Sequence, residues 1–228
     1  MSQYVNPNAI KQPKVRDWSQ PKYAKHVPVW FRFQSIIEGG SMLPTLLDGG
    51  TALLSYSRKF TRGDIVAMFI VKPGEKKIHS IIKRIIGLPG DMVHIDNLTG
   101  TVSVNGIALV EPYILGKTVC MTNYTKVPED CVFVLGDNRE GSYDSRQHGC
   151  IPMTHILSRA KSTTNYYGES TTLLRIYYDG LPQRWIKPKY DITSLQQQLK
   201  DMESGKNGTK KLHGETHKCT CGGSDCKH

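Results

Sequence analysis

Short runs rich in β-branched and aromatic residues alternate with turn residues from position 51 onward, and this spacing constrains the fold more than any other feature of the chain. The runs cover residues 51–57, 64–71, 78–88, 92–96, 101–104 and 131–135. Two of the turns, at 96–101 and 104–107, carry Asn and Gly, and an Asn-Gly pair accepts the positive φ angles of a tight hairpin. The sequence therefore predicts a mainly β domain, with coiled or barrel-like sheets that include a meander.

The chain of 228 residues is long enough for one substantial core with extensions on both sides. We expect a basic N-terminal extension at 1–27 and the β-rich domain at 28–165. A C-terminal extension follows at 166–202, where Ile192, Leu195 and Leu199 have the spacing of a short amphipathic helix. Residues 203–228 are expected to form a flexible linker and a Cys/His-rich tail.

Composition narrows the functional classes. A hydrophobic fraction of 38% is typical of a globular chain, and the net charge of +10 suits an anionic surface or partner. No basic and aromatic pattern typical of nucleic-acid binding is present, so no specific nucleic acid is predicted. No segment approaches the roughly 20 apolar residues of a membrane span. Cys120, Cys131 and Cys150 lie in apolar surroundings and are predicted to be buried thiols.

Ser41 lies in a segment, Gly39-Gly-Ser-Met-Leu-Pro-Thr45, that suits an exposed and fixed hydroxyl, because two glycines precede it and Pro44 stiffens the turn after it. Lys83 lies within an apolar run, 81–86. If its side chain points inward, loss of hydration lowers the pKa of the amine and makes it a usable base. Taken alone, each pattern also fits an ordinary loop or a solvated strand edge.

A third polar segment, 136–146, follows the apolar run at 131–135. Its hydroxyl and charged groups suit a loop in which Ser142 orients a catalytic lysine, while Asp144 and Arg146 form an ion pair. A polar hairpin connection rich in Asx-turns is the alternative.

In this order, the motifs Ser-Met-x-Pro-Thr, Lys-Arg-x-x-Gly-x-Pro-Gly-Asp and Gly-Asp-Asn-x-x-x-Ser-x-Asp-Ser-Arg resemble the type I signal peptidases, closest to their mitochondrial inner-membrane branch. The resemblance covers residues 37–152. It implies that Ser41 is the nucleophile of a serine endopeptidase and Lys83 its general base. It also implies supporting or turn-shaping roles for six further residues: Asp137, Ser142, Asp144, Arg146, Met42 and Pro44.

The reaction implied is removal of signal or sorting peptides from membrane-targeted precursor proteins, by acyl transfer and without a cofactor. Many bacterial members carry a serine at the position of Gly39, so a different oxyanion donor is expected here. The Gly39 pattern, the basic N-terminus and the small size suggest a peripheral location at the mitochondrial inner membrane, or at another membrane. Apolar residues at 29–37 could meet the lipid interface, or form the first core strand.

Three other interpretations of this sequence are considered. His79 or His148 could serve a Ser-His-Asp triad. A peptidase-derived structural subunit of a larger mitochondrial or membrane-associated assembly, with a hetero-oligomeric partner, would explain the unusual extensions. A self-cleaving repressor with a Ser-Lys site is disfavoured because the N-terminal segment carries no helix-turn-helix pattern.

The C-terminal tail carries enough nitrogen and sulfur ligands for a tetrahedral zinc site. The candidate ligands are His217, Cys219, Cys221, Cys226 and His228. A disordered, reactive tail is the alternative.

Overall fold

The computed structural model describes residues 32–57, 59–72, 75, 77–121, 124–165, 167–174 and 176–186. The strands are β1 Arg32–Ile36, β2 Thr51–Ser55, β3 Ile65–Val71, β4 Ile78–Gly87, β5 Met92–Ile95, β6 Val102–Val104, β7 Ile107–Ala108, β8 Tyr124–Lys126, β9 Cys131–Leu135, β10 Ile151–Pro152, β11 Ile156–Thr164 and β12 Ser170–Thr172. Among these residues one α-helix, α1, spans Ser145–His148, and a 3-10 helix spans Met153–His155. None of these residues belongs to a helix long and apolar enough to span a bilayer.

The strands form two antiparallel sheets. The larger has the order β1-β2-β11-β3-β4-β9-β10, with β12 paired to β11, and the smaller has the order β7-β6-β5-β8. Neither order closes on itself among the described strands. The prediction of a mainly β fold is therefore confirmed, as two open sheets. β4 has ten residues and is paired with β3 on one side and β9 on the other.

Both predicted turns are present. Asn105 and Gly106 have φ angles of 53° and 82° and join β6 to β7, where Val104 pairs with Ile107. The two-residue loop with positive φ at both positions is the geometry that favours Asn-Gly. The segment after β5 turns through Asp96, whose side chain accepts a hydrogen bond from the Leu98 N–H at 2.9 Å.

β11 is the main strand that sequence patterning missed, although it pairs with β2, β3 and β12. Its segment contains Ser158, Arg159 and Lys161, which break the apolar run that marks a central strand. Register shifts at two points also interrupt its alternation. A strand with bulges loses the period of two on which a sequence-based prediction depends.

Three main clusters of buried side chains fill the space around the sheets. One of them packs Met42 and Leu46 against Leu54 and Ala67 and so lies under the predicted nucleophile segment. Residues from the predicted C-terminal extension, Tyr178 and Ile186, join the other two clusters. The domain boundaries remain predictions. The predicted helix at 191–202, the tail at 203–228 and residues 1–31 lie outside the described residues.

Cys120 and Cys131 are buried, Cys150 is half-buried, and none of the three forms a disulfide within the described residues. Burial raises the pKa of the Cys150 thiol to about 12 and the pKa of Cys131 further still. They are therefore thiols at neutral pH, as predicted.

Candidate active site

The segment that carries Ser41 leaves β1 and returns to β2 as a compact loop. Its base is closed by backbone hydrogen bonds between Ile37 and Gly50 at 2.8 Å and from the Gly49 N–H to the Ile37 carbonyl at 2.8 Å. Met42 and Leu46 are fully buried and anchor the loop to the core. The loop is therefore fixed by hydrogen bonds at its two ends and by side chains that pack into the core.

Two further features shape this loop. Gly39 has a φ of 84°, a conformation that favours glycine, and its N–H donates to the Asp48 carboxylate at 2.7 Å. The Leu43–Pro44 peptide bond is cis. Met42 and Pro44 thus lie in the turn that presents Ser41, where the sequence placed them.

Lys83 lies in the interior of β4 and is only 3% exposed. Its Nζ donates to Ser41 Oγ at 2.7 Å and to the Ile82 carbonyl at 2.9 Å. The structure therefore brings together the two residues that the motifs singled out, at a distance that permits direct proton transfer.

Burial lowers the pKa of the Lys83 amine to about 8. The carboxylates of Asp144 and Asp137 oppose this shift, and the charge of Lys72 adds to it. A lysine with this pKa is neutral in about a tenth of molecules at pH 7 and in about half at pH 8, so it can accept a proton from a hydroxyl.

Asp137 links three segments around this pair. It is fully buried and accepts hydrogen bonds from the Arg84 guanidinium, with an Nε–Oδ1 distance of 2.9 Å, and from the Thr45 hydroxyl. Arg84 also stacks over the Tyr113 ring at 4.0 Å. Because Arg84 follows the lysine on β4 and Thr45 belongs to the nucleophile loop, the carboxylate fixes the two elements relative to each other.

Asn138 is a site residue to which sequence reasoning gave no role. Its side-chain amide donates to the Gly40 carbonyl at 3.0 Å, and its backbone N–H donates to the Ser41 carbonyl at 3.1 Å. It therefore holds the two carbonyl groups on either side of the Ser41 Cα atom. The sequence feature that could have identified Asn138 is its place in the Gly-Asp-Asn motif, directly after Asp137.

Asp144 and Arg146 form the predicted ion pair, with two contacts of 2.9 Å. The same carboxylate accepts from the Gly136 N–H at 2.9 Å, and Asp144 is the N-cap of α1. The pair thus holds the start of the polar loop against the short helix that ends it.

Ser142 does not make the contact predicted for it. Its hydroxyl is buried and has no hydrogen-bond partner among the described residues. The Lys83 amine is oriented instead by the Ile82 carbonyl and Ser41. Ser142 lies beside Gly136, close to the site, and its positioning role stays a prediction.

Replacing Gly136 by alanine should lower both stability and any activity of the site. A Cβ atom there would meet the side chain of Ser142 and the Ser41 carbonyl oxygen at 2.5 Å, so the backbone of one segment must move. We expect a loss of about 1–3 kcal/mol in the free energy of unfolding, typical of overpacking. Chemical denaturation of the variant measures it, and an unchanged midpoint would contradict the close approach.

The histidines considered for a triad lie in other contacts. His79 pairs with Glu75, and His148 Nε2 donates to the Val71 carbonyl at 3.1 Å. Within the part of the chain that the structure describes, no group of three or more His, Cys, Asp or Glu side chains could hold a metal ion. The candidate ligands His217 to His228 lie outside that part.

A groove with a cavity volume of about 310 Å³ opens beside Ser41 and Lys83. Residues 35–38 line one part of it and residues 80–83 another, with Leu54 and Ala67 also contributing. β1 is hydrogen-bonded to β2 on one side and is the outermost strand of its sheet. The groove therefore offers apolar side chains beside a serine and a lysine, and a strand edge that no other described strand pairs with.

The family model for signal peptidase, peptidase S26, matches residues 27–164. Signal peptidase I of Bacillus caldolyticus is 34% identical over 138 residues, which cover 54% of this chain and 74% of that relative. The probable signal peptidase I-2 of Synechocystis is 41% identical over 133 residues, covering 54% of this chain and 59% of the relative.

Among solved structures, a signal peptidase I from Enterococcus faecalis is 31% identical, with a TM-score of 0.34. The match covers 43% of this chain and 93% of that one. The family model spans more than half of the chain, and it includes both the nucleophile loop and the polar loop. The chain therefore belongs to the signal peptidase family, peptidase S26, and is a serine peptidase hydrolase.

Proposed function

We propose that this protein removes signal or sorting peptides from precursor proteins, with Ser41 as nucleophile and Lys83 as general base. The observation that carries the proposal is the 2.7 Å contact between the buried Lys83 Nζ and Ser41 Oγ beside the groove. A serine hydroxyl becomes an effective nucleophile when a neighbouring group accepts its proton, and the buried amine is suited to that task.

In the proposed reaction, Ser41 Oγ attacks the carbonyl carbon of the scissile bond while its proton passes to Lys83 Nζ. The ammonium group then returns the proton to the leaving amine as the carbon–nitrogen bond breaks, which leaves an ester on Ser41. Water attacks the ester carbon while Lys83 again accepts a proton, and that proton returns to Ser41 Oγ as the ester C–O bond breaks and the acid is released. The Ser41 N–H is the proposed oxyanion donor, and one such donor contributes about 3 kcal/mol to catalysis.

We propose that the precursor binds as an extended strand along the groove between residues 35–38 and 80–83. An extended peptide can add to an unpaired strand edge and place alternate side chains in pockets. The cavity beside Ser41 is bounded by Leu54, Ala67 and Ile82, which suits a small apolar side chain next to the scissile bond.

The direct test is incubation of the purified chain with a signal-peptide-bearing precursor, followed by mass analysis of the products. A single cut after a small residue, absent in Ser41→Ala, supports the peptidase. Intact precursor with the wild-type chain would favour the second candidate, a peptidase-derived subunit of a larger assembly with a hetero-oligomeric partner. The hydrogen bond between half-buried Ser41 and buried Lys83 favours the enzyme.

We expect kcat/KM to rise with pH with an apparent pKa near 8, because only the neutral amine of Lys83 accepts a proton. Lys72→Gln should move this profile to higher pH, since the charge of Lys72 lowers the pKa of Lys83. Initial rates of precursor cleavage between pH 6 and 10 measure both effects. A wild-type profile that falls with pH would contradict the assigned base.

The predicted peripheral location at the mitochondrial inner membrane rests on the sequence of the N-terminal segment and the Gly39 pattern. The relatives reported above come from Bacillus, Synechocystis and Enterococcus, so the mitochondrial branch stays a prediction. Cell fractionation tests it. Recovery with inner-membrane vesicles supports the prediction, and recovery with a different membrane contradicts it.

A further inference from the structure

A second groove, with a volume of about 330 Å³, shares no lining residue with the groove beside Ser41. It is lined by Arg32 and by residues 63–65, 159–161 and 172–174. Three of these side chains are cationic, those of Arg32, Arg159 and Lys161. Asp64 is the one acidic side chain among the described residues that line the groove. The groove therefore carries an excess of positive charge.

The pairing of the strands explains why the three cations meet. Arg32 and Arg159 both pair with Ser55, from opposite sides, so their side chains share one face of the sheet about 10 Å apart. Lys161 lies at the register shift between Ala160 and Ser162. An extra residue in a strand redirects a side chain, and here it adds a third cation to the same groove.

Arg159 has unused hydrogen-bonding capacity. Its side chain is 13% exposed, and its Nη1 lies 3.4 Å from Asp64 Oδ1, which is long for a charge-assisted contact. Its Nε is buried and has no hydrogen-bond partner among the described residues. Asp64 also accepts from the Thr61 N–H at 3.0 Å. An anion in the groove would meet the exposed part of this side chain, which has no short ion pair among the described residues.

We propose that this groove binds a phosphate group, carried either by a lipid headgroup or by a soluble molecule. A guanidinium presents its donors in a planar fork that matches two oxygens of a phosphate, and a lysine adds a compact charge. Ile65, Leu173 and Leu174 give the groove an apolar wall beside the cations. The proposal concerns residues outside the catalytic pair and does not depend on the peptidase function.

Calorimetric titration of the full chain with inorganic phosphate at low ionic strength tests the site. Arg32→Gln and Lys161→Gln, singly, should each weaken phosphate binding about fivefold to tenfold, and together more than about thirtyfold. Lys77→Gln removes the same charge from an exposed position outside both grooves and serves as the control. Its phosphate affinity should stay within about twofold of wild type. Thermal unfolding checks that each variant is folded.

Vesicles of phosphatidylglycerol in phosphatidylcholine, compared with phosphatidylcholine alone, distinguish the two sources of the phosphate. If the Arg32 and Lys161 variants lose vesicle binding as well as inorganic phosphate binding, the groove recognises a lipid headgroup. If only inorganic phosphate binding falls, the ligand is soluble. If the groove variants match Lys77→Gln in both assays, or wild type binds neither probe, the proposal is wrong.

Discussion

Lys83→Met is expected to lower kcat/KM for a precursor by about a thousandfold or more. The variant keeps the length and most of the packing of the side chain, but it has no amine to accept the Ser41 proton. A general base contributes about 10² to 10⁴ to a rate, and a nucleophile that depends on it loses most of its activity without it. Precursor cleavage under single-turnover conditions measures the loss.

The same variant should be at least as stable as wild type at pH 7, which separates a catalytic defect from misfolding. Burial lowers the pKa of Lys83 from 10.5 to about 8, so the unfolded chain binds more protons than the folded one between these values. Wild-type stability should therefore gain about 3 kcal/mol from this group as pH rises from 8 to 10.5. Lys83→Met should lack this gain.

Matched variants complete the test. Lys77→Met changes an exposed lysine and should retain both activity and the pH dependence of stability. Ser41→Ala should be as inactive as Lys83→Met, and the double variant no worse than either one, because the two groups act as a unit. More than a tenth of wild-type activity in Lys83→Met would overturn the assignment.

Arg84→Met should cost about 3–5 kcal/mol of unfolding free energy, the largest stability effect that we expect. It leaves the fully buried Asp137 carboxylate without its cation, and an unpaired buried charge is strongly destabilising. Activity should fall too, because Asp137 also holds Thr45 in the nucleophile loop. Urea denaturation measures the first effect and precursor cleavage the second.

The control is Glu75→Gln, which breaks an exposed pair with His79 and should change stability by less than about 1 kcal/mol. The double variant Arg84→Met with Asp137→Leu should be less destabilised than the sum of its single variants, since it removes both charges together. Additive losses would show that the pair does not act as a unit.

The order of the motifs was enough to predict which residues share the site. Asp144 and Arg146 form an ion pair within one motif, where local spacing brings them together. The hydrogen bond between Ser41 and Lys83 joins two motifs, and only the resemblance to a family predicted it. Their catalytic and supporting roles stay predictions. The Asn-Gly hairpin was equally predictable, since it depends on local φ preferences.

The contacts that were not predicted join segments far apart in the chain. Asn138 and Gly40 are separated by 98 residues, and Thr45 and Asp137 by 92. The type of a side chain does not show which of the many carbonyl or carboxylate groups in the chain it will contact. The central strand β11 was missed for a different reason, because its register shifts and polar residues hide the period of two.

The two neighbours of β4 overlap only at Arg84, because β3 pairs with residues 78–84 and β9 with residues 84–87. An edge strand can fray by itself, but a strand bonded on both sides opens only when much of the sheet separates. The backbone amides next to Arg84 should therefore exchange with solvent deuterium more slowly than those of residues 78–82, which pair with β3 alone. Lys83 comes directly before this doubly paired residue, so its amine should lose its low proton affinity when that part of the sheet opens, on heating or in denaturant.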